Sequence, residues 1–252
     1  MVQTGSAARH VFRFSPLSAA ILVWLVCGLA VMMASPEEKD LSFLASFGSG
    51  AAADFAAGAK VPARGTARIS PDGFNGACLS FPPGGCVQYD SRSNLIPSQG
   101  SLVFHFRLGP DEQSGRMPLV LFSTGAAGKI TIMLREGRPA AEIGTTPDTV
   151  KVLSGPGDSL ADGVWHQMAI TWKNDTGIGG EWKGGVGRGG FVLAVDGEIR
   201  LTEWAVGVPD SFGDSFSFGS AANQADWRLD EVRIYRRALS GGEIRELYEA
   251  GI

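Results

Sequence analysis

The 252 residues carry 22 Lys and Arg against 26 Asp and Glu, a formal net charge of −4, and 44% of them are apolar. That balance suits a globular chain with room for one large domain or two small ones. It lacks the basic surplus of nucleic-acid binders, so nucleic acid is excluded as a partner.

The first 36 residues stand apart from any fold. Residues 17–34 run for eighteen positions without a charge, behind Arg9, His10 and Arg13 and ahead of Pro36, Glu37 and Glu38. A bilayer span takes about 20 apolar residues. Cleavage after Ala34 would put Met32 where a small residue is wanted. The stretch therefore reads as one uncleaved apolar helix, a signal anchor. Its basic flank keeps the N-terminus cytoplasmic and the domain at residues 37–252 extracytoplasmic. A cleaved signal, secreting the domain, is the alternative. Cys27 sits inside the run as apolar filler.

Next come short alternating segments. Leu41, Phe43 and Ala45 suit a first strand. Leu79 and Phe81, then Val87 and Tyr89, suit two more around a Pro-Pro-Gly-Gly turn. Cys78 and Cys86 lie opposite those core residues. In a tight hairpin outside the cytoplasm they are a disulfide candidate; two free thiols are the alternative. Leu102, Phe104, Phe106 and Leu108 alternate with polar or mixed residues. Leu119 and Leu121 alternate with Val120 and Phe122, and Ile130, Ile132 and Leu134, then His166, Met168, Ile170 and Trp172, keep the same period of two. Phe191, Leu193 and Val195 run into Asp196-Gly197, a hairpin signal. Between Asn174 and Gly190 eight of seventeen residues are glycine, and Trp182 sits among them. Trp182 and Trp204 are candidate aromatic platforms for a sugar or a partner side chain; folding back onto the sheet is the other reading of Trp182. Asn174-Asp175-Thr176 matches the N-glycosylation sequon.

The last stretch, residues 227–251, predicts a strand and a helix. Asp230, Val232 and Ile234 share one face by the period of two, which places a carboxylate on the core side. Such a group must be hydrogen-bonded, ion-paired or metal-bound. Ser240 and Glu243 form a capping box, Leu239 and Ile244 a hydrophobic staple, and Gly251 a stop. Ten or more strands with one terminal helix predict an all-β, two-sheet antiparallel jelly-roll sandwich.

Four segments in order carry a family resemblance: Phe74-Asn75-Gly76 through Phe81, Asp162-Gly163-Val164-Trp165-His166, Val195-Asp196-Gly197, and LDEVRIYRRALSGGEIRELY from Leu229. Together they resemble LamG-like jellyroll domains of the concanavalin A-like lectin/glucanase superfamily. The resemblance implies a sandwich over about residues 41–251 and a binding or adhesive role. It also implies first and last strands side by side. That would bring Asp54 towards Asp230 as a candidate calcium pair, calcium being the one cofactor in view. Asp54 as a turn cap, and Asp230 as an acceptor of loop N–H bonds, are the alternatives.

Catalytic patterns are missing. No nucleophile elbow, phosphate loop or zinc spacing occurs. His166 shares its parity with core residues, as a structural histidine would. The superfamily's glycosidases carry carboxylates at i, i+2 and i+4 on one strand, because acid and nucleophile flank one bond; this chain has no such run. It is expected to be a non-catalytic binding module for carbohydrate or a protein partner. A structural ectodomain is the second reading and a degenerate glycosidase the third. An exposed aromatic row on one sheet face would mark the first, and a flat polar face the second.

Overall fold

The computed structural model describes residues 40–109, 118–125, 129–144, 151–174, 190–204 and 208–252, with the side chain of Trp204 not among them. Trp182 and the apolar run at residues 17–34 lie outside the described residues. Among the described residues no helix is long and apolar enough to cross a membrane.

The chain opens with β1 (Leu41–Ala45), β2 (Phe55–Ala56), β3 (Arg64–Gly65) and β4 (Arg68–Ser70). It continues with β5 (Cys78–Phe81), β6 (Cys86–Asp90), β7 (Gln99–Leu108) and β8 (Leu119–Thr124). Then come β9 (Lys129–Arg135), β10 (Arg138–Gly144), β11 (Lys151–Ser154) and β12 (Trp165–Lys173). Last are β13 (Gly190–Val195), β14 (Glu198–Trp204), β15 (Ser215–Gly219), β16 (Trp227–Tyr235) and helix α1 (Gly241–Glu249).

Two antiparallel sheets result, one of nine strands and one of seven. The first runs β14-β13-β12-β7-β16-β1-β2, with β5 also on β16 and β4 on β5. The second runs β11-β10-β9-β8-β15-β6-β3. This is the expected jelly-roll sandwich. The inward residues of both sheets form one core, including Phe43, Phe104, Ile132, Trp172, Phe218 and Trp227. β16 lies inside its sheet, with β7 on one side and both β1 and β5 on the other. First and last strands are therefore neighbours, as the resemblance implies.

Two local readings change. The first concerns Asp230. The pairing of β16 with β7 slips between Asp230 and Arg233, and Glu231 takes φ 49°. This is a β-bulge, which inserts one residue and reverses the alternation. Leu229 faces the core before it, and Val232 and Ile234 after it. Asp230 thus pairs with His105 on the outer face.

The second concerns the cysteines. β5 belongs to the nine-stranded sheet and β6 to the seven-stranded one. Cys78 pairs with Ser70, Cys86 with Gly219. Both thiols are free, so the expected disulfide is absent. The turn at Pro82-Pro83-Gly84-Gly85 crosses between the sheets instead of closing a hairpin.

Local signals at the hairpin and helix hold. Asp196 and Gly197 take φ 51° and 74°, the two positive values that a type I′ turn requires. Ser240 and Glu243 make the reciprocal capping box. Gly251 takes φ 68°, its N–H reaches the Tyr248 carbonyl, and the Ile252 N–H reaches that of Leu247. Those two bonds are a Schellman stop.

Candidate functional site

The two outer faces of the sandwich differ. On the nine-stranded sheet, Leu239, Ile244 and Leu247 pack over Val103, Ala169, Ala194 and Tyr235. Beside that patch, residues 71–77 lie over the same face. Phe74 stacks on His105 with ring centroids 3.9 Å apart and meets the edge of Trp165 at 6.2 Å. Arg107 sits 5.1 Å over the Trp165 ring and pairs with Asp72.

No helix packs on the outer face of the seven-stranded sheet among the described residues. Its side chains line a groove of about 540 Å³. The strand registers explain its chemistry. Arg64 lies opposite Gln88, Gln88 opposite Ser217, and Ser217 opposite Ser123. Ser123 lies opposite Thr131, Thr131 opposite Glu142, and Glu142 opposite Val152. One continuous row of outward side chains thus crosses all seven strands at right angles to the chain.

Within the row the polar groups are partly satisfied. The Ser123 and Thr131 hydroxyls are 3.2 Å apart, and Gln88 donates to Ser215 at 2.7 Å. Glu142 is held by Lys129 at 2.5 Å and by Arg135 at 3.1 Å. Val120 and Met133, paired with each other, give the floor an apolar flank. No aromatic residue lines the groove among the described residues. The face is therefore neither an aromatic row nor flat. It is a polar recess suited to hydrogen bonding.

The family profile Laminin_G_3, described as the Concanavalin A-like lectin/glucanases superfamily, matches residues 87–245. The chain belongs to this superfamily. No curated protein sequence matches it. Solved structures with the same fold include the binding domain of Paraclostridial Mosquitocidal Protein 1, at TM-score 0.64 and 15% identity over 84% of this chain and 52% of that one. The botulinum neurotoxin serotype D/C VPI 5993 binding domain matches at 0.66 and 13% identity, over 85% and 53%. The botulinum neurotoxin serotype D ligand binding domain in complex with N-acetylneuraminic acid matches at 0.62 and 13%, over 84% and 51%. The chain spans about half the length of these domains.

Within this lectin/glucanase framework the two candidate calcium ligands have separate partners. Asp54 accepts from the Ser46 N–H at 2.7 Å and from its hydroxyl at 2.8 Å. Asp230 is fully buried. Its Oδ2 accepts the N–H groups of Phe74 and Asn75 at 2.8 and 3.0 Å, and its Oδ1 that of Glu231 at 2.9 Å. Calcium wants six to eight oxygens. Three N–H donors converge on Asp230 instead, and among the described residues no three acidic, His or Cys side chains group as a metal site. The surroundings of this pair do not fit calcium. Asp230 pins residues 71–77, as the loop-anchor reading had it. Burial pushes its pKa up to about 6, with the N–H bonds opposing.

The signature histidine is structural too. Burial alone would lower the pKa of His166, but bonds from Nδ1 to Asp196 at 2.8 Å and from Nε2 to Asp162 at 3.1 Å raise it. The Asp-Gly-x-Trp-His and Val-Asp-Gly segments meet here through a side-chain tie. The β14 backbone ends at Trp204, whose side chain, like Trp182, is outside the described residues. Sequence reading missed the groove residues Gln88, Ser123, Thr131, Glu142 and Ser217. Gln88 and Thr131 were legible as the polar parity of strands whose apolar parity was recognised, whereas Ser123 faces outward only because the register shifts between Val120 and Phe122, and the strands that carry Glu142 and Ser217 were not among those read.

Proposed function

We propose that the chain is a non-catalytic binding module, held at the outer face of a membrane by the apolar run at residues 17–34, with its ligand site on the open face of the seven-stranded sheet. The observation that carries this reading is the contrast between faces. One is covered by helix α1 and residues 71–77, and the other carries a recessed polar row. Ligands are carbohydrate or a protein partner, taken up through hydrogen bonds and charge, since no described lining residue is aromatic. The solved neighbours that are themselves binding or ligand-binding domains support a binding role. A glycosidase needs two carboxylates about 5–9 Å apart. Glu142 is the single carboxylate among the described groove-lining residues, and two cations hold it. That arrangement favours binding over hydrolysis.

The test is a glycan array probed with the full chain and with Ser217→Trp, which fills the middle of the row. Expected are binding by the parent chain, persistence in chelator, and loss of at least tenfold in affinity in the variant at unchanged circular dichroism. Equal binding by the two proteins would move the site off this face.

A further inference from the structure

The groove has a direction, a length and a charge, and together they narrow the ligand beyond the binding reading on which this inference rests. Its polar row runs across the strands. From Arg64 on β3 to Glu142 on β10 it crosses five strand spacings, about 24 Å. A peptide adding to a sheet lies along an edge strand and bonds to its backbone. A ligand of this row lies perpendicular to that and meets side chains only. Ser217 and Ser123 place half-buried hydroxyls one strand apart, a spacing close to the length of one pyranose unit, and the buried Thr131 hydroxyl supports that of Ser123 from the next strand.

The charge is lopsided. Arg64, Lys129 and Arg135 stand against Glu142 alone among the described residues that line the groove or bond to its lining. The Lys129 and Arg135 side chains remain 43% and 40% exposed while bonded to Glu142. An ammonium has three donors and a guanidinium five, so both keep donors for an incoming anion. Arg64 is exposed at the far end of the row. The cations therefore bracket a neutral, hydroxyl-lined centre. The whole chain is negative, at −4, which repels a polyanion as dense as nucleic acid, with one charge per about 1.7 Å. A chain with at most one carboxylate per sugar is far less dense, and the local surplus suffices to select it.

We infer that the groove binds an acidic polysaccharide, a uronic-acid chain lying across the strands of the seven-stranded sheet. The probe is polygalacturonate, with its methyl-esterified form, which keeps the sugar backbone and removes the charge, as the matched control. Binding of the full chain is followed by affinity electrophoresis and calorimetry. Expected is binding of polygalacturonate at least tenfold tighter than of the esterified polymer, weakening several-fold between low and physiological salt. Affinity should climb with oligomer length and level off at about five or six units, the span of the row. Arg64→Ala, at an exposed edge position where folding is not at stake, should lose several-fold in affinity for the acidic polymer alone.

Equal binding of both polymers, or none of polygalacturonate, overturns the acidic specificity. Equal binding of poly-glutamate shows attraction by charge alone and overturns the polysaccharide. Neither result touches the binding reading, which fails separately if Ser217→Trp leaves every measured affinity unchanged.

Discussion

At the scale of single residues, the outer face of the nine-stranded sheet holds a buried charge problem solved in two ways. Asp230 is satisfied by three backbone N–H groups. His105, opposite it, is 2% exposed, and its Nδ1 has no hydrogen-bond partner among the described residues. Burial, with Arg233 nearby, lowers the His105 pKa to about 4. A depressed folded pKa means that the unfolded state binds the proton more readily. The contribution is therefore present above about pH 6.5 and is lost as pH falls towards 4. A shift of that size corresponds to roughly 3 kcal/mol at most. Asp230, whose pKa is raised to about 6, acts in the opposite sense, adding stability as pH falls through the same range. The comparison that isolates His105 is His105→Phe, which keeps the stack with Phe74. Relative to this variant, the parent should lose about 2–3 kcal/mol of urea-unfolding stability between pH 7 and pH 4.5. A difference that stays flat with pH would mean that His105 is solvated.

At the scale of elements, legibility followed the range of the interaction. Helix α1, its caps and the Asp196-Gly197 turn were readable because every partner lies within a few residues. The inward residues of β7, β9, β12 and β13 were readable from alternation alone. Strand order was not readable, because register is set between segments distant in sequence. The groove row depends on six such registers, so its residues looked like unrelated surface positions. β16 failed for a different reason: no residue type announces the bulge at Glu231, and a single inserted residue moves Asp230 to the other face. Cys78 and Cys86 failed because a short Pro-Gly turn can join two sheets as readily as two paired strands.

The cysteine placement has a direct consequence. Cys86 is partly exposed in the groove, whereas Cys78 is fully buried and burial raises its pKa to about 11. Since the thiolate is the reactive form, labelling of Cys27→Ser protein without reductant should modify Cys86 readily. Cys78 should react only on unfolding. Protection of both thiols until reductant is added would restore the disulfide.

At the scale of the whole molecule, the sandwich divides its work between its two outer faces. Helix α1 serves stability: Ile244 and Leu247 are each 1% exposed and shield Val103, Ala169, Ala194 and Tyr235. The groove lies on the opposite sheet, with the shared core of the sandwich between them. Substitutions with no shared partners act independently. Leu247→Ala opens a cavity beneath the helix, and a buried leucine truncated in this way costs about 2–5 kcal/mol. Its place at the edge of the smaller cluster, where the helix can settle, puts the expectation near the low end, at about 2–3 kcal/mol in urea unfolding. Ligand affinity at 25 °C should remain within about twofold, because the folded population still dominates for a domain of ordinary stability. Ser217→Trp should do the reverse, abolishing binding with little change in the unfolding midpoint. If Leu247→Ala weakened binding in proportion to its loss of stability, the covered face and the open one would be a single coupled unit. The ligand reading would then have to include helix α1.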